Sequence, residues 1–232
     1  MLSPLSTILV YSLVFSVFFR AAPPAAGNGS QNFALFLFTG LVVWLFFAGM
    51  INGSMGWLGA IGDLRRKVFF PPETAIFGSA LALAVQSAIE AAVLLIVMLL
   101  VGNIGVSTLA LPFILALAGI FGLGIGFFVC VLNTYYRDVQ YLVGIILNAL
   151  FFLVPIVYPI GIIPEQHWGL PIRKVVEWNP VNQFVAAARE SAYLLQWPSL
   201  TRWGILLLYS FAVFGLGWRF FAQRSMLLSE DM

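Results

Sequence analysis

Apolar residues run along this chain in six long blocks, at roughly 3–19, 33–60, 75–101, 109–132, 141–160 and 203–221, with polar stretches between them. A helix crosses hydrocarbon with about 20 mostly apolar residues, at about 1.5 Å rise each. Barrel strands would be shorter and would alternate polar with apolar side chains. Ala91 to Val101 is apolar all round, so the spans are helices, each satisfying its own backbone groups. The pattern predicts an all-α membrane protein of six transmembrane helices in one domain, residues 1–232. The first block has no basic leader, and five more blocks follow it, which predicts a retained helix and not a cleaved signal.

The connections have distinct characters. Residues 21–30 carry Pro23, Pro24, Gly27, Asn28 and Gly29, the residues of a loop. The second block loosens into Gly53, Gly56, Gly59 and Gly62, so its tail is expected to leave the hydrocarbon. Next comes the densest basic cluster, Asp63-Leu64-Arg65-Arg66-Lys67, and then Val68-Phe69-Phe70-Pro71-Pro72-Glu73. A tight turn at Gly102-Asn103 joins spans three and four. Residues 161–200 mix short apolar runs with Pro164, Pro171, Pro180 and Pro198. That mixture predicts short interfacial or re-entrant helices before the last span.

Composition narrows the function classes. The chain is 62% hydrophobic and 9% charged, whereas soluble domains carry about 25% charged residues. No basic tract is long enough to bind nucleic acid. Cys130 is the single cysteine and lies inside a span, leaving no intramolecular disulfide and no thiolate metal site. His167, the single histidine, adjoins Trp168 in the 161–200 segment and reads as an interfacial side chain. A phosphate-cradling loop needs Gly-x-x-x-x-Gly-Lys-Ser/Thr. The two lysines, Lys67 and Lys174, both follow arginines, so the chain has no such nucleotide site. Both termini on the cytoplasmic side would place Arg65, Arg66, Lys67, Arg137, Arg219 and Arg224 inside. Arg20, Arg173, Lys174, Arg189 and Arg202 would then fall outside. In short loops near span ends the 61–74 cluster outweighs Arg20, which sets this orientation.

Few polar groups lie within the spans. Glu90 is the one acid deep in a span and must face the bundle interior, a partner or a water-filled path. Ser79, Gln86 and Glu90 share a helical face, either lining a conduit or bonding a neighbouring helix or second subunit. Gly122 and Gly126 form a small-xxx-small pair, a mark of close helix packing. Tyr11, Phe15 and Phe18 recur at helical spacing, with Phe151, Phe152 and Tyr158 more loosely placed. Such faces stack on sugar rings or anchor in lipid. Arg65-Arg66-Lys67 on its own reads as a headgroup anchor. The stiff apolar knuckle ending at Pro71-Pro72 adds a shape that fits a groove on a partner.

Three stretches resemble the permease subunit of type-2 ATP-binding-cassette exporters, in the branch exporting polysaccharide, teichoic acid and O-antigen. They are Leu64 to Glu73, Asn133-Thr134-Tyr135-Tyr136-Arg137-Asp138-Val139, and Val154-Pro155-Ile156-Val157-Tyr158-Pro159. Ile163-Pro164, Trp178-Asn179-Pro180-Val181 and Arg189 follow the third in the family's order. Members of that branch usually begin further upstream with an amphipathic helix. Here Leu2-Ser3-Pro4 already resembles the start of the first span, so that helix is expected either to lie upstream of this start or to be absent.

The resemblance implies a permease, not an enzyme, in the bacterial plasma membrane with both termini cytoplasmic. Two copies would form the pathway above a separate ATPase subunit, which would bind ATP and magnesium; no cofactor is expected in this chain. Arg65, Arg66, Lys67, Phe70 and Pro71 would couple to that ATPase. Tyr135, Arg137 and Asp138 would stand at the cytoplasmic entrance. Tyr11, Phe15, Gln86, Glu90, Phe152 and Tyr158 are the pathway-lining candidates. The implied cargo is a lipid-linked polysaccharide entering from the surrounding membrane lipids. Two alternatives are a type-2 permease for a drug, lipid or peptide, and a membrane-embedded transferase using Asp138.

Overall fold

A computed structural model of the protein describes residues 23–60, 71–136, 138–166, 169 and 171–225. The described residues form seven α-helices: α1 Phe33–Ala60, α2 Pro72–Leu100, α3 Leu111–Tyr135, α4 Val139–Leu153, α5 Ile172–Glu177, α6 Pro180–Ala188 and α7 Leu200–Ser225. Short 3-10 turns cover Val106–Ala110 and Ile160–Ile162, and a π-helical turn, Arg189–Tyr193, continues α6. Four segments are long and apolar enough to cross a membrane: Phe33–Gly56, Glu73–Leu100, Val106–Tyr135 and Leu200–Arg224. The protein is a multi-pass membrane protein. α1 stays helical through Gly53, Gly56 and Gly59, yet its apolar window closes at Gly56, where the sequence loosens.

Two of the six predicted crossings are not among these four. The first block, 3–19, lies outside the described residues. The block at 141–160 is not one helix: α4 has 15 residues and stops at Leu153, below the length a helical crossing needs. Pro155 is the cause, because proline disfavours helical geometry in the residue before it. Val154 accordingly turns to ψ 130°. The Tyr158 hydroxyl then folds back, donating to the carbonyl of Phe152 at 2.8 Å and closing the open helix end.

The long helices pack in a row, α2 beside α1, α1 beside α3, and α3 beside α7. α1 and α3 are the buried centre, while α2 and α7 are mostly bare on their outer faces. Lipid is as apolar as the helix surfaces, so association depends on close packing. On α3, Gly122 and Gly126 lie against the α1 backbone at Phe47 and Met50. The small-xxx-small pair therefore serves packing. Gly124 faces the other way, against Phe214 of α7, where Gly217 meets it backbone to backbone. The Ser210 hydroxyl of α7 lies 2.9 Å from the Leu117 carbonyl across the same seam and 2.7 Å from the Leu206 carbonyl of its own helix, sharing its proton between them. Phe127, fully buried, gathers rings from α2 and α7: Phe77 at 5.5 Å, Trp218 at 5.3 Å and Phe221 at 5.0 Å.

The connections at one end of the bundle are stitched into a cap. α2 ends in a Schellman turn, with Gly102 at φ 73° and Asn103 N–H donating to the Met98 carbonyl at 2.8 Å. The buried Asn103 side chain then donates to the Tyr193 and Ala192 carbonyls at 3.0 and 3.2 Å and accepts from Asn28 N–H at 3.1 Å. The Tyr193 hydroxyl donates to the Pro24 carbonyl at 2.8 Å, and the Ser107 hydroxyl to that of Ser191 at 2.9 Å. Leu195, just beyond the π turn, holds φ 55°, a left-handed backbone costly for a branched side chain. Its side chain fills the space that a Cβ would take at Gly27 and lies within van der Waals reach of Gly105.

Candidate functional site

At the end opposite the cap, Pro71 is half-buried and leads into α2, its carbonyl accepting the Thr74 N–H at 3.1 Å. Pro72 follows at the first helical position, where a missing N–H costs nothing. Arg65, Arg66, Lys67 and Phe70 lie outside the described residues. The turn between α3 and α4 shares this end. Asn133 Oδ1 spans it, accepting from Gln140 N–H at 3.1 Å. Tyr135, Tyr136, Asp138 and Tyr141 project from the turn, all exposed. Tyr135 and Asp138 are thus brought together; Arg137 lies outside the described residues.

α4 touches the bundle lightly, with only Val143 and Leu147 buried. Between it and α1 opens a groove of about 320 Å³, whose lining includes Trp44, Ala48, Asn52, Gly144, Asn148 and Phe151. Trp44 and Phe151 meet at 5.6 Å between ring centres. Asn52 and Asn148 present two neutral amides beside these aromatic faces. Phe151, not Phe152, lines this groove; Phe152 is exposed and stands edge-on to Phe151 at 5.2 Å. Tyr158 is engaged in closing α4. Gln86 and Glu90 sit on α2, away from the groove, and bond each other at 3.3 Å on a face the monomer leaves open. Tyr11 and Phe15 lie outside the described residues. Asn52 and Asn148 escaped the sequence reading because single amides give no periodic signal until their helices are paired.

The cap end of α4 is held by Arg189. Asn179 caps α6 by accepting the Val181 N–H at 3.0 Å, with Pro180 at the first helical position. α6 then carries Arg189 into the bundle, where it is 8% exposed. Its guanidinium donates to the carbonyls of Pro155 at 2.5 Å and Ile156 at 2.6 Å and lies 3.6 Å from the Phe36 ring centre. Burial pushes its pKa down to about 9, with Tyr193 acting in the opposite sense, so it stays charged at neutral pH. The neighbouring Glu190 pairs instead with Arg202 at 3.1 Å. A cavity of about 380 Å³, mainly apolar, lies beside Arg189 and is bounded by Phe36, Pro159, Ile160 and Tyr193.

The sequence profile of the ABC-2 type transporter family matches residues 1–193. The chain belongs to that family. Among individual ABC-2 relatives, the O-antigen export system permease protein RfbA of Myxococcus xanthus is 26% identical over 71% of this chain and 61% of its own length. RfbA of Klebsiella pneumoniae is 25% identical over 81% of this chain and 69% of its own length. The polysialic acid transport protein KpsM of Escherichia coli is 27% identical over 82% of this chain and 70% of its own length. The chain thus spans about three fifths to seven tenths of these relatives. The ABC-2 match includes the α3–α4 turn, the Pro155 break and the Asn179-Pro180 cap, the three devices that place α4 and Arg189.

Proposed function

We propose that the chain is the permease subunit of an ATP-driven exporter carrying a lipid-linked polysaccharide across the bacterial plasma membrane. The observation that carries this reading is the similarity, over 81–82% of the chain, to permeases named for O-antigen export and polysialic acid transport. Two copies form the pathway with both termini cytoplasmic. A separate ATPase binds ATP and magnesium and docks on Arg65, Arg66, Lys67, Phe70 and Pro71. Tyr135, Arg137 and Asp138 stand at the entrance, where a lipid diphosphate meets the arginine.

The α1–α4 groove supports a glycan cargo on chemical grounds. Amides exposed in hydrocarbon without partners are costly, and Asn52 and Asn148 lose that cost in a path shared with water and sugar hydroxyls. Trp44 and Phe151 supply faces for sugar rings. Phe152 and Tyr158 continue the aromatic surface towards the cap; Tyr11 and Phe15, and Gln86 and Glu90 on the open face of α2, are candidates for lining a pathway outside this groove.

The test is ATP hydrolysis by the permease reconstituted with its ATPase. A lipid-diphosphate glycan should stimulate turnover, and the triple variant R65A/R66A/K67A should abolish the response while remaining in the membrane. Stimulation by hydrophobic drugs alone would move the cargo to another class. Turnover of a glycosyl donor with no ATPase present would replace the exporter by a transferase.

A further inference from the structure

Arg189 is a buried cation placed where three pieces of chain meet. α4 ends at Leu153 because of Pro155, which leaves the carbonyls of Pro155 and Ile156 outside any helical ladder. Arg189 takes both, one on each terminal nitrogen. The same guanidinium lies on Phe36 of α1 and passes Gly40, where a Cβ would come within 2.9 Å of Nη2. A single side chain therefore joins α1, the end of α4 and the end of α6.

Its environment suits a fastening and not a ligand site. Nε is buried with no hydrogen-bond partner, and each terminal nitrogen gives one of its two N–H groups to a backbone carbonyl. Among the described residues no carboxylate pairs with it; Glu190 is held by Arg202. Carbonyl dipoles and one aromatic face carry the whole compensation for a desolvated charge. Charge-assisted bonds of this kind are strong, while the idle Nε and the missing counter-ion leave part of the desolvation cost uncompensated.

α4 has little else to hold it, and it forms one wall of the Trp44–Asn148 groove. We infer that Arg189 is the positioning residue that fastens the cap end of α4 to α1 and thereby sets the width of the α1–α4 groove, releasing when that groove widens. Its consequence for transport rests on the exporter reading; its effect on groove width does not.

The experiment uses the full chain in membranes, with Cys130→Ala removing the single native thiol. Ala48→Cys and Gly144→Cys then place one thiol on each wall of the groove. Cross-linking is compared between a short and a long bis-maleimide. Arg189→Gln should shift the long-to-short product ratio about tenfold towards the long reagent, the order expected for losing charge-assisted bonds. Arg189→Lys, which keeps the charge but not the paired donors, should give an intermediate shift, as should Phe36→Leu. If Arg189→Gln does not reach the membrane, the Lys and Leu variants decide the matter. An unchanged ratio in the variants that do reach it overturns the inference. Failure of the unsubstituted protein to support glycan export would instead overturn the exporter reading and leave this result standing.

Discussion

The α3–α7 seam makes a ranked prediction for alanine at glycine positions. At Gly124 an added Cβ would sit 2.6 Å from the Cα and N of Phe214. Ordinary contact begins at 3.4 Å, so the helices must part by about 0.8 Å, and backbone cannot swing aside as a side chain can. Overpacking of this kind costs about 1–3 kcal/mol, against a gain of up to about 1 kcal/mol from alanine's better helix propensity. Gly124→Ala should therefore lose about 1–2 kcal/mol, and Gly217→Ala the same, because its Cβ meets the Gly124 carbonyl. Gly119→Ala should lose less, since its obstacle is the tip of the Phe46 ring. Gly215→Ala, with open space around it, should be neutral or stabilising. The assay is the thermal midpoint of detergent-solubilised protein followed by size-exclusion fluorescence, where about 2 kcal/mol corresponds to roughly 4–8 °C. Equal midpoints for Gly124→Ala and Gly215→Ala would refute the packing argument.

Three further outcomes follow from the cap and from α4. Asn103→Ala removes three hydrogen bonds and should cost about 2 kcal/mol or more, with faster amide exchange at Gly27 and Asn28 as the local signature. Tyr158→Phe should fray the last turn of α4, seen as faster exchange at Val154, whose N–H donates to Leu150. Exchange in α3 should not change. Glu190 has its pKa raised from 4.5 by burial, opposed in part by Arg202. A raised carboxyl contributes stability below about pH 4.5 that is lost as pH rises through the folded value. The protein's midpoint should therefore fall over that window, and Glu190→Gln should remove that fall; an identical pH profile would sink the assignment.

The long helices were legible because burial in lipid demands uninterrupted apolar runs, and those runs carry their own boundaries. The helix in the 141–160 block stops short for a local reason. Pro155 and Pro159 sit inside an apolar block, and hydropathy averages over prolines that the backbone cannot ignore. Arg189 was counted among charges near an outer face. Its partners are carbonyls as far as 34 positions earlier, and a carbonyl leaves no mark in a sequence. The glycines show both cases at once. Gly122 and Gly126 announced their contact by spacing, while the Gly124–Gly217 contact joins two helices and has no spacing to read.

Leu195 ties the history of two positions together. Its left-handed backbone favours glycine or asparagine, yet its isobutyl group occupies the room left vacant at Gly27. A lineage that replaces Leu195 with a small residue gains a relaxed turn and opens a void, which a methyl group at 27 can then fill. Side chains at these two sites should therefore covary in volume across descendants, each enlargement at one matched by a trimming at the other.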